Sequence, residues 1–120
     1  MPLNVRRERG ATVLSNFGRL MNDPRHFDAA ADVADLMDDG ERAFVLELSG
    51  VHETGGSFLG LLMTITRDVR RRGGDVVVAR PSATTRAMIL EMRLDDYWDV
   101  FDTVDDAVAF FQRHADEDVD

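Results

Sequence analysis

Apolar residues change period several times along this chain, and each change marks an element. From Leu3 to Leu20 the pattern is that of two short strands around Arg9-Gly10, with Ala11, Val13, Ser15 and Phe17 alternating along the second. Asn22-Asp23-Pro24 reads as a turn, with Pro24 placed to enter a helix. Phe27, Ala30, Ala31, Ala34 and Met37 then recur at helical spacing, opposite Asp28, Asp32 and Asp35, until Asp38-Asp39-Gly40 closes the helix. Ala43 to Leu48 is almost continuously apolar, as expected of a strand buried on both faces. A helix from about Ser57 to Arg72 carries Phe58, Leu62, Ile65 and Val69 on one stripe, with Leu61 beside it. Arg67, Arg70, Arg71 and Arg72 fall towards its end, where cations suit the helix dipole, and Gly73-Gly74 stops it.

Asp75-Val76-Val77-Val78-Ala79 repeats the buried-strand pattern, and a third helix is expected from about Ala83 to Met92. Val100-Phe101 reads as a short final strand. Val104, Ala107, Val108 and Phe111 form the apolar face of a last helix. Strands and helices that alternate in this way predict an α/β fold: one domain, a mixed and mainly parallel sheet with about four α-helices, and an opening hairpin that adds antiparallel edge strands. The expected core spans residues 3–113, with 114–120 an acidic tail.

Composition narrows the function. A chain of 120 residues, 44% apolar, has room for one compact core. Its formal net charge of −9 opposes nucleic acid or an anionic membrane surface as the partner, since both require a positive footprint. Cysteine is absent, which excludes disulfides, thiolate catalysis and cysteine-ligated metal. No apolar run reaches membrane-spanning length, and Met1 to Arg7 carries no hydrophobic region behind its charges, so the cytoplasm is the expected location.

The segment with most chemical promise is Glu47-Leu48-Ser49-Gly50-Val51-His52-Glu53-Thr54-Gly55-Gly56-Ser57, where a buried strand gives way through a polar turn to a helix. A helix N-terminus presents unpaired N–H groups, so this junction suits an anion or a docking partner. Arg80, Ser82 and Thr84 open the next helix at the same strand ends and should lie beside it. The docking edge is therefore expected to comprise Thr54, Gly55, Gly56, Ser57, Phe58, Arg80, Ser82 and Thr84. Enzymatic signals are poor. His26, His52 and His114 are too dispersed for a metal site. Nothing in the spacing forces His52-Glu53 and Ser57 into a triad, and Gly55-Gly56-Ser57 is too short for a P-loop and lacks its lysine. No cofactor is expected. Tyr97-Trp98 reads either as a contact patch or as packing against the last helix.

Several stretches resemble the STAS domain of bacterial anti-sigma-factor antagonists. Leu46-Glu47-Leu48-Ser49-Gly50-Val51 is similar to that family's "LDLSGV", and Leu59-Gly60-Leu61-Leu62 to "LGxLL". Arg72 to Val78 is similar to "xGGxxxL", Phe101 to Ala107 to "FxTxxEA", and Phe17-Gly18-Arg19-Leu20 to an "xGxLD" turn whose aspartate is here Met21. The resemblance covers residues 10–112 and implies a non-enzymatic protein whose partner is an anti-sigma factor or related regulatory kinase. Family members carry "DSSGLG" or "DSTGLG" before the second helix, and the first serine is phosphorylated. Here Gly55 stands at the aspartate position, Gly56 at the acceptor position, and only the next hydroxyl remains, as Ser57. Ser57 is then either a displaced phosphate acceptor or a helix N-cap, the commoner role of such a serine. The resemblance also admits a scaffold subunit of a larger assembly, such as a stress-signalling complex or a lipid-transport ATPase. Oligomeric state is left open.

Overall fold

The computed structural model describes residues 3–52 and 55–117, so Glu53 and Thr54 of the expected docking edge lie outside the described residues. Five strands form one sheet in chain order: β1 (Asn4–Glu8), β2 (Ala11–Ser15), β3 (Ala43–Glu47), β4 (Asp75–Ala79) and β5 (Val100–Phe101). β1 runs antiparallel to β2, and every later neighbour is parallel. Arg9 and Gly10 join the hairpin at φ 49° and 85°. Two successive left-handed residues are what a tight two-residue hairpin turn requires. Of the two hairpin strands only β1 lies at an edge, however. β2 lies inside the sheet, buried on both faces from Ala11 to Leu14, because β3 pairs along its free side.

Register divides the core in two. Val13, Val45 and Val77 align across the sheet and face one way, while Leu14, Leu46 and Val78 align and face the other. The helices α2 (Ala29–Asp38), α3 (Gly56–Arg71) and α4 (Ala83–Glu91) cover the Leu14 face through Val33, Met37, Leu62, Ile65, Val69, Met88 and Ile89. The Val13 face packs against Ala107 and Val108 of α5 (Val104–Glu117). Crossovers of one hand that always step in the same direction place their helices on one face, and the C-terminal helix covers the other. Each large apolar side chain fully buried in this way contributes roughly 1.5–3 kcal/mol.

Three details differ from the sequence reading. A short helix, α1 (Phe17–Met21), follows β2, because Asn16 at φ 75° breaks the strand after Ser15. With it the helices among the described residues number five, plus a 3₁₀ turn at His26–Asp28. The buried face of α2 is Ala29, Val33 and Met37; Ala31 is exposed. α5 continues to Glu117, so the expected tail begins with a helical turn. Other features are as expected. Gly40, at φ 103°, closes α2 with hydrogen bonds from Gly40 N to Met37 O and from Glu41 N to Leu36 O. Gly74 lets α3 return tightly to the sheet, since a Cβ there would collide with the Arg42 carbonyl.

Two of the four arginines towards the end of α3, Arg70 and Arg72, tie it to neighbouring elements. Arg70 reaches Asp75 at 2.9 Å and the Tyr97 carbonyl at 2.7 Å, and lies 4.7 Å above the Tyr97 ring. Arg72 reaches Asp38 at the end of α2 at 2.6 Å. Trp98 is 1% exposed and joins the α3 side of the core, so it neither forms a surface patch nor packs on the last helix.

Candidate functional site

The site lies at the C-terminal rim of the parallel strands. β3 ends at Glu47, whose carboxylate accepts from the Ser49 N–H at 2.9 Å and lies 3.9 Å from Arg80 Nη1. Ladder pairing continues one residue further, with Leu48 N–H donating to the Ala79 carbonyl at 3.0 Å. Gly50 then turns at φ 78°, Val51 is buried, and His52 is exposed.

α3 opens on Gly55, which is extended at φ −70°, ψ 159° and makes no side-chain cap. Its carbonyl accepts from Leu59 N–H at 3.3 Å. The helix-capping role expected of Ser57 therefore falls to Gly55. Ser57 is the second helical residue, and its hydroxyl is exposed with no partner among the described residues. A Cβ added to Gly55, Gly56 or Gly60 would meet nothing within 4 Å, so the bend is open to an approaching macromolecule. The first turn of α3 carries no acidic residue that would occupy its unpaired N–H groups. Phe58, expected at the docking edge, is 0% exposed and forms part of the core. As the third helical residue it points inwards to the Leu62 and Ile65 stripe.

The second loop is joined to the first, as the topology predicts, and it is joined covertly. Ser82 caps α4 by accepting from Thr85 N–H at 3.2 Å. Its own hydroxyl donates to the Val51 carbonyl, which also accepts from Thr85 Oγ1 at 3.3 Å. The Ser82 hydroxyl is thus engaged in fastening α4 to the bend and is not presented to a partner. Arg80, at φ 52°, and Thr84 are exposed on the rim.

A third flank escaped the sequence reading. α1 packs its Gly18 against the Gly50 turn so closely that a Cβ would lie 3.1 Å from the Gly50 carbonyl. Asn16, Gly18, Arg19, Asn22, Ser49, Gly50 and His52 line the resulting shallow cleft of about 400 Å³. Glycine and asparagine before a helix were the available signals, but the strand-like alternation running into Phe17 concealed them. His52 belongs to this cleft, and no hydrogen bond joins it to Ser57 among the described residues. Beyond α1, Arg25 donates from both its side chain and its backbone N–H to Asp23, and this holds the Asp23 carboxyl down to about 2. No group of three or more potential metal ligands occurs among the described residues, and no helix there is long and apolar enough to cross a membrane.

Fold and rim together define a single α/β domain whose exposed polar groups gather where strands lead into helices. The family model for the STAS domain matches residues 27–107, and the chain belongs to that family. Among curated protein sequences, none matches. Solved structures give the same fold. A Thermotoga maritima protein classed as an anti-sigma factor antagonist superposes with a TM-score of 0.73 at 17% identity, over 89% of this chain and 92% of its own. An NMR structure of the same protein gives 0.74 at 20% identity, over 91% and 87%. An anti-sigma-factor antagonist (STAS) domain protein from Planctomyces limnophilus gives 0.71 at 20%, over 89% and 95%. The chain is thus a STAS domain similar in fold to anti-sigma-factor antagonists.

Proposed function

We propose that this STAS domain is a non-enzymatic component of a bacterial, cytoplasmic regulatory circuit that acts as an anti-sigma-factor antagonist. It grips an anti-sigma-factor kinase with the rim formed by Gly55, Gly56, Ser57, Arg80 and Thr84, and so releases what that kinase holds. The observation that carries this reading is the exposed, unpartnered Ser57 hydroxyl between open glycines at the start of α3. One residue past the family's acceptor position, it remains within reach of a kinase active site. A phosphate there adds roughly −1.5 to −2 charge, which the α3 dipole accommodates and a docked surface of like charge rejects.

Incubation with the cognate anti-sigma-factor kinase and ATP, followed by phosphopeptide mapping, tests the switch. The expected result is a single phosphate on Ser57 and weakened kinase binding by Ser57→Asp. Binding without any label across residues 54–57 would leave a constitutive antagonist with no switch; absence of binding would remove the antagonist reading itself.

A further inference from the structure

A cleft of about 800 Å³ lies at the opposite rim, where β3 and β4 begin, and takes no part in the site described above. Its walls come from the β1–β2 turn, the start of β3, the α3–β4 turn and α5. In a chain with a net charge of −9, this cleft gathers Arg9, Arg42, Arg113 and His114. Among the described residues that line it the only carboxylate is Asp75, which Arg70 already holds at 2.9 Å.

Helix C-termini point to the same rim, and their exposed carbonyls would favour cations. Those carbonyls are already served. Arg42 Nη1 donates to the Met37 and Glu41 carbonyls, each at 2.7 Å, and Gly73 and Gly74 N–H groups donate to Arg70 and Val69. Anchored in this way, Arg42 keeps Nη2 and Nε without a partner among the described residues. Arg113 has no partner there either. Among the described residues Arg9 pairs with Asp105 alone, whose side chain is 86% exposed, and such a surface pair is readily exchanged for a better anion. A side chain on Gly10 or Gly73 would meet nothing within 4 Å, so the floor is open.

We infer that this cleft binds a small molecule bearing a phosphate group, held by the guanidinium groups of Arg9, Arg42 and Arg113. Arginine forks match phosphate oxygens two at a time, and charged hydrogen bonds of this kind are the strong ones. A cavity of this size accepts a ligand larger than a bare ion.

Calorimetric titration with inorganic pyrophosphate at fixed ionic strength tests the assignment, with sulfate as a second probe and phosphatidylglycerol vesicles in a flotation assay. Pyrophosphate is expected to bind, and Arg113→Gln, at an exposed position that leaves folding intact, is expected to weaken binding about tenfold. Arg9→Gln should add to that loss, while Arg86→Gln, exposed on α4 and outside the cleft, leaves affinity unchanged. Flotation with vesicles that is lost in Arg113→Gln would place the phosphate on a lipid headgroup, and titration without flotation on a soluble ligand. No heat from pyrophosphate together with no flotation, or an affinity indifferent to both arginine variants, would overturn the inference.

Discussion

Thr66 shows how one side chain closes a gap in an otherwise apolar interior. It is fully buried in α3, donates to the Leu62 carbonyl at 2.8 Å, and accepts from the indole N–H of Trp98 at 2.8 Å. Valine has the same shape and no oxygen, so Thr66→Val strands the indole donor in the core. We expect it to lower stability by about 1–3 kcal/mol, and Thr66→Ser to recover most of that. Urea denaturation followed by the fluorescence of the single tryptophan reads both variants; equal stability of the valine variant would show that the indole has another partner. The pairing was illegible beforehand. Residues 66 and 98 are 32 apart, and an aromatic next to acidic residues carries no sign of which helix it will meet. Phe58 was misread for a related reason: proximity to the bend in sequence says nothing about which side of the first helical turn a residue occupies.

At the scale of elements, Glu41 straps the opening hairpin to the parallel sheet. Just before β3, its carboxylate accepts from Arg7 Nε on β1 and from the hydroxyl of Thr12 on β2, each at 2.5 Å. The Thr12 hydroxyl is fully buried, and Glu41 is its acceptor. These bonds, the Thr12 hydroxyl first and then Arg7, favour the ionised form and hold the Glu41 carboxyl below its ordinary 4.5. A folded-state value below the unfolded one means that the unfolded chain takes up the proton first. The stabilisation is therefore complete above pH 4.5 and drains away as pH falls through the lower, folded-state value. We expect Glu41→Ala to cost about 1–3 kcal/mol at neutral pH. Its deficit against the unchanged chain should narrow as pH falls below 4.5, and a deficit that stays constant with pH would contradict the strap. Elements with a strong period were readable in advance: β3, β4, α3 and α5 fall where their apolar runs place them. Alanine marks no face, so in the Ala-rich α2 Met37 and Ala30 were placed correctly while Ala31 was set inwards and Val33 was missed, and five residues are too few for α1 to show a period.

For the whole molecule, the decisive fact is that every crossover helix lies on one side. The order β2-β3-β4-β5 follows the chain, and the Val13 face of the sheet packs on α5 through Ala107 and Val108, with Val104, Phe110 and Phe111 around them. That face carries Ala11, Val13, Val45, Val77 and Ala79, each no more than 1% exposed. The continuous apolar runs of β3 and β4 foretold two covered faces; which helix would cover which face followed only from the strand order. Removing α5 before Val104 uncovers a continuous apolar band of parallel sheet, which a domain of this size cannot leave in water. The truncated chain is expected to aggregate or to lose its cooperative thermal transition. A chain ending at Glu117, with the whole helix retained, should melt as the full chain does. The comparison separates the helix as a wall of the core from the helix as an appendage: a cooperative, monomeric product without residues 104–120 would mean that three helices on one face suffice, and that α5 serves the arginine-lined cleft alone.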